Sequence, residues 1–133
     1  MSRVAGPLGL LVAVALGGCG EDPTTATEAP TLSDVQADVF DASCAFSTCH
    51  AAPGASGLVL EPGAAHAALV DAPSADAPGE ILVVPGDSAA SYLVAKLRGD
   101  AGITGAPMPD GVPLDAERIQ LVVDWIDAGA LDD

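Results

Sequence analysis

Polar and apolar positions follow a helical period most clearly near the end of the chain. Between residues 115 and 128, Glu117, Gln120, Asp124 and Asp127 fall at i, i+3, i+7 and i+10, while Ile119, Val122, Val123 and Ile126 form an apolar stripe flanked by Leu121 and Trp125. This spacing predicts an amphipathic helix with one broad face to bury. Asp115 stands at the N-cap position, Pro113 precedes it, and Gly129 stands at C′. A second helix is expected over residues 33–41, where Val35 and Val39 share a face with Leu32 and where Ser33-Asp34-Val35-Gln36 has the spacing of a capping box. A third is expected over residues 88–97, with Asp87 as N-cap and Lys96, Arg98 and Gly99 at its end. A shorter one is expected over residues 62–70, opened by Pro62. Leu58-Val59-Leu60 and Ile81-Leu82-Val83-Val84 read as extended segments or a small two-stranded pair. The Ala, Pro and Gly between these elements predict long loops, so the fold class is mainly α with loops that need a reason to be long.

The first residues have a different character. Arg3 precedes an uncharged run from Val4 to Leu16 that ends in Leu16-Gly17-Gly18-Cys19, the layout of an export signal. The run is shorter than the roughly 20 residues that a membrane-spanning helix needs. Its Leu-Gly-Gly-Cys ending resembles the lipobox of bacterial lipoproteins, which implies lipid on Cys19. Residues 1–18 are then a lipoprotein signal peptide, 19–31 the lipidated Cys with a flexible Thr-, Pro- and Glu-rich tether, and 32–133 one domain. Several acyl chains on one Cys hold a protein at a membrane without a basic patch.

Charge narrows the partners. With 4 Lys and Arg against 19 Asp and Glu the formal charge is −15, which excludes a nucleic-acid binder that neutralises phosphates, and anionic lipid as a partner. A redox or binding partner would carry a basic docking patch. Hydrophobic residues make up 50% of the chain but aromatics only 3%, and much of the remainder is Ala, so large side chains are scarce for a filled core. A buried apolar cofactor would supply the missing mass.

With Cys19 assigned to lipid, Cys44 and Cys49 remain as a pair. In an oxidising compartment such a pair is a disulfide, a metal site or a covalent attachment point. The stretch Cys44-Ala45-Phe46-Ser47-Thr48-Cys49-His50 ends in Cys-His, the frame of c-type haem attachment, although its spacer is four residues and not two. A second iron ligand would come from Met108 or His66. Met108 lies in Gly105-Ala106-Pro107-Met108-Pro109-Asp110-Gly111, a stiff loop where a Met is poorly placed as flexible filler. His66 sits among small residues and is the fallback ligand.

These residues together resemble class I cytochromes c, and more closely the small planctomycete-type cytochrome c domains of exported lipoproteins, across residues 33–130. The resemblance implies a small cytochrome c-like fold with long loops around one covalently attached haem c. It implies thioether links to Cys44 and Cys49, His50 as proximal ligand and Met108, in its Met-Pro step, as distal ligand. It places Trp125 of the last helix against the N-terminal helix, with Phe40 as its contact. The longer spacer departs from the usual pattern of the family.

The implied function is single-electron transfer between redox partners by a lipid-anchored protein on a bacterial membrane, facing the periplasm or the exterior. No enzyme is expected, since Ser88 and Ser91 lack a His-Asp arrangement and no carboxylate pair stands out. Two other readings use the same residues. One is a haem-free lipoprotein interaction module with a Cys44–Cys49 disulfide; the other is a copper site drawn from Cys44, Cys49, His50 and Met108.

Overall fold

The computed structural model describes residues 28–52 and 56–133. The signal peptide, Cys19 and most of the tether lie outside the described residues. Within them the chain is mainly helical, and no helix is long and apolar enough to cross a membrane.

The first helix, α1, runs unbroken through three parts: Leu32–Val35, a π-helical Gln36–Phe40, and Asp41–Ser43. It starts two residues earlier than the Ser33 capping box predicts. Thr31 is the N-cap, its hydroxyl accepting from the Asp34 N–H, while the Asp34 carboxylate accepts from the Thr31 N–H at 2.9 Å. The Thr31 hydroxyl also holds the Asp34 carboxyl below its ordinary range. Gln36, the other half of the expected box, is turned inward, and the Ser33 hydroxyl donates to the Asp133 carbonyl. Burial of Leu32 explains the shift, because a core residue belongs inside the helix.

Helix α2, Ala65–Leu69, is shorter than residues 62–70 because Gly63 takes a φ of 79°, which no right-handed helix continues through. Helix α3, Tyr92–Arg98, begins at Ser91 and not at Asp87. Its free N–H groups at Tyr92 and Leu93 donate to the Ile81 and Leu82 carbonyls, both at 2.9 Å, so a tertiary contact replaces the expected side-chain cap. Asp87 caps only the turn before it, through the Ala90 N–H. Gly99 ends α3 in the left-handed conformation.

Helix α4, Ala116–Asp127, matches its pattern most closely. Asp115 is the N-cap, accepting from the Arg118 N–H at 2.9 Å, and Gly129 follows the helix at φ 115°. The two apolar runs do not pair with each other: Ile81 and Val83 make isolated bridges to Pro73 and Val70.

The core collects the inward faces of α1, α3 and α4, with α4 in contact with both of the others. Phe40 and Trp125 are both buried in it, each about 1% exposed. Behind α4 the chain folds back at Gly129 and Ala130. The Trp125 indole N–H donates to the Leu131 carbonyl at 3.0 Å, and Asp133 accepts from the Leu32 and Ser33 N–H groups.

Trp125→Ala should lower the unfolding free energy by about 3–5 kcal/mol, read by denaturant titration, since it empties the centre of this core and frees the Leu131 carbonyl.

Candidate functional site

The end of α1 delivers the first cysteine. The Cys44 and Ala45 N–H groups both donate to the Phe40 carbonyl, which stops the helix, and the Cys44 carbonyl then accepts from Phe46 and from His50, at 2.9 and 3.1 Å. The four spacer residues therefore close into a compact bulge in which the first and last residues of the motif are bonded to each other. Phe46 at its tip is 48% exposed. Cys44 is buried, Cys49 is exposed, and both thiols are free.

His50 is half-buried at the base of the bulge. Its Nδ1 lies 3.1 Å from the Leu58 carbonyl and 2.8 Å from the Ser56 hydroxyl. The Leu58 carbonyl only accepts, so the tautomer that bonds it has the proton on Nδ1 and the lone pair on Nε2, whereas the Ser56 hydroxyl serves either tautomer. Among the described residues no hydrogen bond engages Nε2. The Leu60 N–H donates to the His50 carbonyl at 2.7 Å, tying backbone and ring to the same short segment.

Met108 arrives from the loop that joins α3 to α4. Its N–H donates to the Lys96 carbonyl at 2.9 Å, and Lys96 Nζ donates to the carbonyls of Thr104 and Ala106. The Tyr92 hydroxyl accepts from the Thr104 N–H at 2.8 Å. One face of α3 thus clamps the whole loop. Gly99 permits the approach, for a Cβ there would sit 3.1 Å from Pro107 Cγ.

Cys44, Cys49, His50 and Met108 all line one cavity of about 1030 Å³. This is at the upper end of the roughly 300–1,000 Å³ of small-molecule sites. Its wall is largely apolar, including Phe40, Leu58, Leu69, Leu82, Leu93 and Leu97, with Asp76, Asp110 and Asp115 among its acids. The two cations at the wall are engaged elsewhere: Lys96 with the loop carbonyls, and Arg118 with Asp115 at 3.7 Å. His66 is not part of the wall. Its Nε2 is 2.8 Å from the Ala130 carbonyl, where it secures the turn after α4, so the fallback ligand serves the fold.

A haem fits this donor set. The apolar wall suits a porphyrin face, two thiols stand ready for thioether links, His50 offers Nε2 with its other nitrogen already held, and Met108 offers a thioether from a fixed loop. A bare copper ion fits less well, because among the described residues no three His, Cys, Asp or Glu side chains lie close enough together to hold a metal. Sequence reasoning missed Ser56, Leu58, Lys96 and Tyr92 as the groups that orient the ligands. Backbone carbonyls and loop clamps leave no residue signature, although Lys96 was legible as a cation at a helix end. Compared with known proteins, the chain matches no family model, no curated protein and no solved structure.

Burial pushes the Cys44 thiol up to about 11 from 9.0, with the nearby Cys49 acting in the same direction. With both thiols free, a neutral thiol reagent at pH 8 should label Cys49 at least about tenfold faster than Cys44, read by peptide mass mapping. Labelling of Cys44 should then accelerate with pH up to its raised value. The same sign governs stability: the unfolded thiol ionises first, so stability should fall as pH rises from 9.0 to about 11, and Cys44→Ala should remove that fall.

Lys96→Met keeps the stem and removes the donors. Amide exchange at Met108 should speed up by about tenfold or more by NMR, with helix α3 unaffected.

Proposed function

We propose that this chain is a lipid-anchored, monohaem c-type cytochrome domain that carries single electrons between redox partners. The observation that supports it most is the convergence of Cys44, Cys49, His50 and Met108 on one apolar cavity, with His50 Nδ1 held by a backbone carbonyl. Bound there, haem supplies a one-electron iron couple. Cys44 and Cys49 would hold it through thioether links on either side of the bulge. His50 would hold the iron through Nε2, with the Leu58 carbonyl bonded to the other ring nitrogen. Met108 would supply the second ligand from the loop held by Lys96. Ligation by His50 and Met108 together would give a higher potential than two histidines and would favour electron transfer over substrate binding.

Cys19 serves as the lipid anchor, and the polar residues after it as the tether. The acidic surface selects a redox protein with a basic docking patch. Asp76 and Asp110, both exposed at the cavity wall, are the natural contacts.

The decisive experiment expresses the domain in a host that matures c-type cytochromes and records a pyridine haemochrome spectrum with an intact mass. The expected result is a c-type spectrum and the added mass of one haem. A colourless protein two hydrogens lighter than its reduced mass would replace this reading with the disulfide-stapled binding module. For the loaded protein, Asp76→Lys with Asp110→Lys should slow association with a basic redox partner and flatten its dependence on salt, as measured by stopped-flow mixing.

A further inference from the structure

We infer that Gln36 is a positioning residue for the His50 imidazole, acting through residues 58–60; its consequence at iron rests on the haem reading above. Gln36 is a polar side chain only 8% exposed, on the face of α1 that otherwise buries Leu32, Val35, Val39 and Phe40. Burying an amide is unfavourable unless its N–H groups are used. Here Nε2 donates to Asp41 Oδ1 at 2.6 Å and to the Leu60 carbonyl at 2.9 Å.

The π-helical stretch makes this possible. It begins at Gln36, and the Asp41 N–H donates back to the Gln36 carbonyl, so the wider turn sets the Asp41 carboxylate beside the Gln36 amide. Such single wide turns recur at functional sites. A regular turn would join Gln36 to Phe40 and leave the amide with no such anchor.

From Leu60 the connection continues to the ligand. The Leu60 N–H donates to the His50 carbonyl at 2.7 Å, and Leu58, two residues earlier, presents its carbonyl to His50 Nδ1 at 3.1 Å. Residues 58–60 are thus pinned by α1 on one side while they hold the backbone and ring of His50 on the other. Gln36 does not bond the ring and does not line the cavity. It fixes the place of the Leu58 carbonyl, which favours the Nδ1–H tautomer beside a Ser56 hydroxyl that accommodates either one, and a firm Nδ1–H bond raises the donor strength of Nε2. A stronger donor favours oxidised iron, so loosening the segment raises the potential.

The test compares the wild type with Gln36→Met, which keeps the volume and removes the donors. Asp41→Ala, at an exposed position, unanchors the amide without opening the core and serves if the first variant folds poorly. In the chain with no haem attached, 15N NMR of the His50 ring should show the Nε2–H form rising at least about threefold in Gln36→Met. In the haem-loaded domain the midpoint potential should rise, with Asp41→Ala shifting both readouts the same way by less. Folded variants with an unchanged tautomer ratio and an unchanged potential would overturn the inference, even if their stability fell. A wild type that attaches no haem would overturn the proposed function instead, while the tautomer ratio would still decide the role of Gln36.

Discussion

The packing of α4 against α1 fixes both halves of the site. Helix α1 ends at Cys44, so whatever orients α1 aims the motif that follows it, and α4 begins directly after the loop that carries Met108. Phe40 and Trp125 are buried in the core that joins them. The contact is reinforced from behind, where Asp133 accepts from the first N–H groups of α1 and His66 and Trp125 hold the turn that brings Asp133 there. Residues 44–50 and Met108, far apart in sequence, are thus brought to one cavity by this helix pair together with the α3 clamp on the Met108 loop.

Aromatics are scarce in this chain, and hydrogen bonds do the positioning in the loops at the edge of the core. The Met108 loop is exposed over most of its length, yet it is fixed at Thr104, Ala106 and Met108 by two residues of α3. The His50 segment is fixed the same way, by Leu58, Leu60 and Ser56. Such bonds add little net stability each, on the order of 1 kcal/mol, but they are directional, and direction is what a ligand needs.

Elements with a long regular period were legible in the sequence, and those set by distant partners were not. Helix α4 could be read to its caps because Asp115, the 3.6-residue stripe and Gly129 are all local signals. The start of α3 could not, because its cap is the pair of carbonyls at Ile81 and Leu82, and the start of α1 was misread because Ser33 and Gln36 have the right spacing but are used by Asp133 and Leu60. The four candidate residues that line the cavity were picked out by type and order, Cys44, Cys49 and His50 by their sequence and Met108 by its prolines, and that they share one cavity is what the fold adds. What orients them was not legible, since backbone carbonyls have no identity in a sequence. Gln36 left one trace, a polar residue in register with a buried stripe.

The four residues between Cys44 and Cys49 are held by local hydrogen bonds that keep Cys44 and His50 together. An unconstrained longer spacer would let the two thiols and the imidazole move independently. Here the His50 N–H returns to the Cys44 carbonyl, and the Cys49 N–H returns to Phe46, so the added residues bulge outward and the functional ones stay joined at the base. The thiols lie in unlike surroundings, Cys44 buried and harder to ionise, Cys49 open to solvent. The pair thus offers one sulfur inside the wall and one open to solvent.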